Sequence, residues 1–541
     1  MILRFLENDR YKRIFRFVML TLGGILTGFT LVFPSIGILE WVSLVPAALA
    51  LISISEDVSI RKRGFYGYGF FFFVCFYLVN YHWFINLYPL DFVDGMTKPA
   101  ALVVVLAGWV GLSLFQAIVG GGVFLIFAVG SRTRLIKRYI FLGSFLAGML
   151  WAIFEWTQTL TWAGVPWGRL AIGQTGWLIG AQSASLFGSC FVTFLIVTVN
   201  FLIAYAILKA DKRRLTAILA SAVFVANTLL GVVIYFSYSD RGESVKVSAV
   251  QGNISSQEKW DSSLRQKTFD VYEKYTKEAA DEGAEIVVWP ETALPYNFED
   301  NVSVERYVSR LAKKYGVTIL CGAFTYGEDD MEFNSVVAFL PDGTRYETVY
   351  SKRHLVPFGE FVPLRKVFEI LIPPLTELSM IANDLGAGTS AQVFEFNNTK
   401  IGSLICFDSI YDELTRDSAR SGANVIAIST NDSWFLDSAA LDMHNAQAKL
   451  RAIENRRYVV RSANTGISSV ISPRGEEIAS LERLVDGQIT ADVYSIETHT
   501  LFTYIGNLFV YIAIAMLVIW FAVEKIITVY FGKLLDNSMV K

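Results

Sequence analysis

Residues 285–292 read Glu-Ile-Val-Val-Trp-Pro-Glu-Thr. A short unbroken apolar run bounded by turn residues predicts a strand buried on both faces. Pro290 stops it and leaves a carboxylate, Glu291, at its tip. Two further stretches end the same way: Ile401-Gly-Ser-Leu-Ile405 runs into Cys406, and Thr348-Val-Tyr-Ser351 runs into Lys352. Side chains at strand ends are carried by rigid backbone yet reach a cleft, which is where catalytic groups sit on α/β scaffolds.

The surroundings of these strands alternate in period. Strands are predicted over 245–250, 285–289, 317–321, 333–340, 345–350, 400–406, 424–429, 458–462, 467–472 and 488–493, and helices over 260–283, 301–315, 411–421 and 440–455. Pro341-Asp342-Gly343 predicts a hairpin turn between 333–340 and 345–350. Repeated β-α units with some hairpins predict layered sheets covered by helices.

This α/β part is a minority of an unusually apolar chain. The 541 residues are 53% hydrophobic, 14% aromatic and only 18% charged, with mean hydropathy +0.42, where soluble proteins carry about 25% charge. Disorder and a disulfide scaffold are excluded, and four scattered cysteines make any important one reactive rather than structural. Charge is segregated. Residues 1–237 hold 18 Lys+Arg and 9 Asp+Glu, residues 238–500 hold 26 and 39, and residues 501–541 hold 3 and 2. The acidic middle argues against a nucleic-acid partner.

Runs long enough to cross a bilayer lie at about 14–34, 36–55, 65–88, 99–129, 139–159, 176–208, 215–237 and 501–523. They predict a polytopic α-helical membrane domain of eight transmembrane helices: seven in residues 1–237, and the eighth with a cytoplasmic tail in 501–541. An extracytoplasmic domain, 238–500, lies between. Lys and Arg resist translocation. With both termini cytoplasmic, 19 basic residues fall on the cytoplasmic side, and only Lys98 and Arg169 fall in external loops. No small-residue cleavage site follows the first run, so a retained helix is expected rather than a signal peptide. Glu40, Glu155 and Arg169 are ionisable groups within or beside spans, where such groups usually serve a purpose. The external stretch Trp162-Ala-Gly-Val-Pro-Trp167-Gly-Arg169 reads either as an interfacial aromatic belt or as a lipid headgroup or acyl-chain site.

Glu291, Lys352 and Cys406 form a self-consistent chemical set. A thiol has an ordinary pKa near 8.5 and attacks only as thiolate. A carboxylate can take its proton but by itself repels the resulting anion. A lysine offsets that repulsion and can hold the oxyanion formed when sulfur adds to a carbonyl. Together they suit acyl transfer through a thioester. Cys321 reads as core. A histidine mechanism is disfavoured, because His444 and His499 offer no paired partner in the sequence, and no His/Cys cluster has metal-ligand spacing. No metal, cofactor or oligomer is called for, so a monomer is expected.

Trp289-Pro-Glu-Thr292, Lys352, Ile405-Cys-Phe-Asp408 and Asn464-Thr-Gly-Ile467 resemble the nitrilase (carbon-nitrogen hydrolase) superfamily. That resemblance implies a Glu-Lys-Cys triad on an α-β-β-α sandwich. Three longer motifs look like those of the apolipoprotein N-acyltransferase family: Lys352-Arg-His-Leu-Val-Pro-Phe-Gly-Glu-Phe-Val-Pro363, Trp289-Pro-Glu-Thr-Ala-Leu-Pro295 and Thr430-Asn-Asp-Ser-Trp-Phe435. The eight-span layout matches as well. The resemblance implies a phospholipid acyl donor, an S-diacylglyceryl-cysteine lipoprotein acceptor and a bacterial cytoplasmic membrane with the catalytic domain on the periplasmic side. It also implies supporting roles for Glu360 and Asp408, and substrate contacts at Trp289, Trp434 and Phe435. Phe407-Asp408 stands where Tyr-Glu is common, and Leu436 where glycine is usual. Apolar stretches 368–374 and 375–381 suit mobile lipid-facing arms or ordinary packing. The rival functions are a membrane-tethered amidase and a non-enzymatic lipid or lipoprotein binding protein.

Overall fold

The computed structural model describes residues 9–90, 95–238, 242–255, 259, 262–327, 330–371 and 384–539. The chain divides into two units. One comprises Met1–His82, Leu106–Ile234 and Asn507–Lys541, and the other Trp83–Val105 and Tyr235–Gly506.

The second unit contains two six-stranded sheets. The first holds β1 (Ser244–Gln251), β2 (Ile286–Val288), β3 (Thr318–Tyr326), β4 (Glu332–Phe339), β5 (Tyr350–Ser351) and β12 (Gly487–Tyr494), in the order β12-β1-β2-β3-β4-β5. The second holds β6 (Val393–Phe396), β7 (Thr399–Ile405), β8 (Val425–Thr430), β9 (Tyr458–Ala463), β10 (Ser469–Ile471) and β11 (Glu477–Ser480), in the order β11-β10-β9-β8-β7-β6. Each sheet has three parallel central strands, β1-β2-β3 and β7-β8-β9, flanked by antiparallel ones. The central strands β2 and β8 are buried at every position, as continuous apolar runs require.

The sheets pack face to face, with β1 against β9. Side chains of one sheet bond backbone of the other: Ser429 Oγ donates to the Trp289 carbonyl (2.9 Å), and Ser462 Oγ to the Val250 carbonyl (2.7 Å). Helices Arg265–Asp281 and Val302–Tyr315 cover the first sheet, burying Phe269, Tyr272, Val304, Val308 and Leu311 against Val287, Trp289 and Phe339. The second of these helices ends at Gly316, whose φ of +66° is the left-handed cap that L residues adopt at a cost. Helix Asp412–Arg420 packs on β7 and helix Ala439–Asn455 on β9. The result is the expected α-β-β-α sandwich. Two edge strands, β6 and β11, went unread in the sequence. The stretch 345–350 forms only a bridge at Arg345 and the two-residue β5.

Among the described residues, six helices of the whole chain are long and apolar enough to cross a membrane: Arg10–Val32, Pro34–Glu56, Lys98–Gly130, Ser189–Leu208, Arg213–Ser237 and Leu508–Val529. The expected spans near 65–88 and 139–159 appear as Lys62–Asn80, diluted by glycines, tyrosines and a basic first turn, and as the 16-residue Leu142–Thr157.

Within the first unit, the ionisable residues noted in the sequence are buried and bonded. Glu155 Oε1 accepts from the Leu170 amide (2.9 Å) and the Trp151 indole (3.1 Å), and its Oε2 accepts from Thr193 (2.6 Å). Glu40 Oε2 accepts from Gln174 (2.6 Å), and Arg169 Nη1 donates to Ser189 (3.0 Å). The stretch 162–169 is therefore not one exposed loop. Trp162 is exposed, but Trp167 and Arg169 are buried with the helices, because a guanidinium in an apolar unit needs the polar partners found inside it.

Candidate active site

The three strand-end residues come from both sheets: Glu291 follows β2, Lys352 follows β5 and Cys406 follows β7. The turn carrying Glu291 crowds β3. A Cβ at Gly322 would lie 2.4 Å from the Pro290 carbonyl oxygen and 2.6 Å from the Thr292 nitrogen, so only glycine fits there.

Lys352 is 1% exposed in its side chain. Its Nζ donates to Glu291 Oε1 and to Glu360 Oε1, both at 2.9 Å. Asn334 of β4 spans the same pair, its Nδ2 donating to Glu291 Oε1 (2.7 Å) and Glu360 Oε1 (3.0 Å). The second oxygens are held by backbone: Glu291 Oε2 accepts from the Asn431 amide (2.9 Å) and Glu360 Oε2 from the Val356 amide (2.8 Å). Burial works against the Lys352 ammonium, but the charges of Glu291 and Glu360 outweigh it and hold the group above the ordinary lysine value.

Cys406 has φ +48°, a left-handed conformation that bulky L residues adopt at a cost of about 1–2 kcal/mol. Burial and the neighbouring Glu291 push its thiol up, while Lys352 pulls it down. The net direction is up, so the resting sulfur keeps its proton and needs a base during attack. Asp408 ties this turn to the lysine segment. Its Oδ2 accepts from the Ile405 amide (3.1 Å) and the Tyr350 hydroxyl (2.8 Å), and its Oδ1 from the amides of Arg353 (3.2 Å) and His354 (2.8 Å).

Residues 246–498 match the carbon-nitrogen hydrolase family, and residues 23–202 match the apolipoprotein N-acyltransferase N-terminal domain. The chain is 30% identical to the apolipoprotein N-acyltransferase of Gloeobacter violaceus over 485 residues, covering 89% of this chain and 88% of that protein. It belongs to the apolipoprotein N-acyltransferase family. The family protein of Geobacter metallireducens is likewise 30% identical, over 68% of this chain and 71% of its own length. Among solved structures, an amidase from Nesterenkonia sp. is 16% identical, covers 48% of this chain and 93% of its own, and has a TM-score of 0.36.

Asp408 keeps a carboxylate where the family commonly has glutamate, and among the described residues its partners are four donors. Asp408→Asn must turn an NH2 toward two of those donors in a fully buried place. We expect a loss of about 1–3 kcal/mol in thermal unfolding, together with slower chemistry at Cys406.

Sequence reasoning missed three groups of residues in this family member. Asn334 bridges the two carboxylates from inside β4. Lys259 is buried, and its Nζ donates to the Glu291 carbonyl (2.9 Å) and to Thr292 Oγ1 (2.7 Å). Burial pulls its ammonium down to about 7. The third group corrects the reading of His444, which does have a partner: Nδ1 lies 2.8 Å from Asp432 Oδ1.

The expected substrate contacts divide. Trp289 is fully buried, stacks on Tyr272 (ring centroids 4.8 Å apart) and donates to Thr276 Oγ1 (3.1 Å). It packs as a core residue between the first sheet and its helix layer. Trp434 and Phe435 lie in a short 3₁₀ turn that exposes them partly, with Phe435 edge-on to Trp83 at 5.0 Å. Leu436, which stands where the family usually has glycine, takes φ +47°. Of the apolar stretches near 368–381, Arg365–Leu371 is helical and 372–383 lies outside the described residues. Cys321 is buried within β3, as expected of a core residue.

Proposed function

We propose that this chain transfers a fatty acyl chain from a phospholipid to the N-terminal amine of an S-diacylglyceryl-cysteine lipoprotein, through a thioester on Cys406. Family membership supports the overall reaction. The observation that carries the mechanism is Lys352 shared between Glu291 and Glu360 beside a strained, protonated thiol.

In the first half-reaction, Cys406 sulfur adds to the ester carbonyl as its proton passes to Glu291. Lys352 holds the oxyanion, Glu360 and Asn334 hold Lys352 and Glu291 in place, and Asp408 fixes the turn of the nucleophile. The tetrahedral adduct collapses, and the departing lysophospholipid oxygen takes the proton back from Glu291. In the second half, the lipoprotein amine adds to the thioester carbonyl and passes its proton to Glu291. The sulfur leaves and is reprotonated, giving ping-pong kinetics.

Both substrates are lipids, and water would divert the thioester to hydrolysis, which is the reason for placing such a site against a bilayer. Trp434 and Phe435 supply apolar surface for the acyl chain. We assign eight spans, seven in 1–237 and one in 501–541. Both termini are cytoplasmic in a bacterial cytoplasmic membrane, the catalytic domain (238–500) is periplasmic, and the chain acts as a monomer. The bias of Lys and Arg toward one set of loops supports this orientation.

Incubating the detergent-solubilised protein with phospholipid alone should place an acyl adduct on Cys406, read by mass spectrometry of its peptide. Adding a diacylglyceryl-cysteine peptide should discharge it. An adduct on Cys321, or none, overturns the mechanism. A reporter fused at 541 that proves external overturns the orientation.

A further inference from the structure

Beneath Cys406 lies a charged cluster that the reaction as written does not use. Asp432, His444 and Arg461 are each at most 1% exposed. Asp432 Oδ1 meets His444 Nδ1 at 2.8 Å, and its Oδ2 meets Arg461 Nη2 at 2.6 Å. Arg461 Nη1 also donates to the Ile467 carbonyl. Burial works against the Asp432 charge, yet Arg461 and His444 hold its carboxyl well below the usual carboxylate range. Buried ion pairs are poor sources of net stability, since apolar replacements often do as well. What this one supplies is placement.

Two arms run from the cluster to the nucleophile. His444 Nε2 lies 3.4 Å from the Cys406 carbonyl oxygen and 3.1 Å from Ser409 Oγ, which itself donates to that carbonyl at 2.7 Å. Thr430 Oγ1 donates to Asp432 Oδ1 (3.0 Å), and its side chain also reaches the Cys406 sulfur. Asn431, between Thr430 and Asp432, gives its amide to Glu291. One short segment thus contacts the sulfur, the base and the buried charges.

We propose that Asp432, His444 and Arg461 are positioning residues: they clamp the carbonyl of Cys406 through His444 and Ser409, and its sulfur through Thr430, so that the left-handed nucleophile stays aimed at the acyl carbonyl. The proposal rests on the thioester reading above and adds the device that holds its nucleophile.

The two nitrogens of His444 have separable tasks. His444→Gln keeps an N–H that reaches toward the Cys406 carbonyl in place of Nε2, and His444→Asn keeps one toward Asp432 in place of Nδ1. In the full-length protein in detergent, His444→Asn should form the Cys406 acyl adduct about a hundredfold more slowly, the scale set by ångström misplacement of a reacting group. His444→Gln should stay within about tenfold of the unaltered protein, with both unfolding at similar temperatures. The two variants acylating at the unaltered rate, or equally impaired, overturns the proposal. A second measurement needs no lipid: the pH dependence of Cys406 alkylation by iodoacetamide. Among the described residues, Glu291, Lys352, Asp432 and Lys259 carry charges that act on this sulfur. Asp432→Asn removes an anion that raises the thiol, so its alkylation midpoint should move to lower pH while acyl-adduct formation slows. A midpoint that moves while adduct formation keeps the unaltered rate overturns the proposal, because then only the charge and not the placement has mattered, and this variant decides if the histidine variants do not fold. An unaltered protein that is alkylated but never acylated refutes the phospholipid reading and leaves the alkylation comparison standing.

Discussion

Lys352→Met should destabilise the catalytic unit by about 3–5 kcal/mol, the cost of stranding buried charges by removing their partner, and should abolish acyl transfer. Methionine fills the space but leaves Glu291 Oε1 and Glu360 Oε1 converging on a single Asn334 amide with no cation between them. One carboxyl must then take up a proton, so the variant should regain stability as pH falls toward 5. The unaltered protein should not. Its lysine is raised above the ordinary value, so its contribution is fully present below that value and is lost only as pH rises through the folded one. Thermal unfolding across pH 5–8 reads both effects. Adding Glu360→Gln should return much of the stability but not the activity, because the oxyanion still lacks its donor. A Lys352→Met protein as stable as the unaltered one would show that the three charges are not coupled.

The second large effect is expected of Glu291→Gln. Among the described residues, the hydrogen bonds to this carboxylate arrive from donors: Lys352 and Asn334 on one oxygen, the Asn431 amide on the other. Whichever way glutamine turns, its NH2 faces an N–H. The substitution therefore costs about 1–3 kcal/mol of stability and also removes the base. Adduct formation from phospholipid should fall by about 10²–10⁴-fold, the usual worth of general-base catalysis. Alkylation of Cys406 by iodoacetamide should become faster at a given pH, because the anion that raises the thiol is gone. Slower alkylation would argue that Glu291 activates the resting sulfur rather than acting during attack.

The sequence showed Glu291, Lys352 and Cys406 because each breaks an apolar run abruptly, and a polar group at a strand end is a local signal. Asn334 carries no such signal. In Glu332-Phe-Asn-Ser-Val-Val it reads as an ordinary polar position of a half-exposed strand, and only the neighbouring strands make it interior. Asp432, His444 and Arg461 lie on a loop, a helix and a strand, so their meeting is a product of tertiary packing. The burial of Trp289 was not legible, because an aromatic beside a catalytic turn signals a pocket wall and a core plug alike. Layered sheets covered by helices were legible from the alternation of periods, and the α-β-β-α order was implied by the resemblance, but β6 and β11 are edge strands of four residues with mixed polarity, below what period alone resolves.

The carboxylate and ammonium belong to one sheet and the sulfur to the other, so the separation between them is the gap between two plates. Ser429 and Ser462 act as rivets across that gap, and the Ser429 rivet fastens two residues ahead of Glu291. Catalytic alignment is thus a by-product of how tightly the plates are bolted. A cavity opened far from the cleft, anywhere along the seam, would be read at the reacting atoms as a change in gauge.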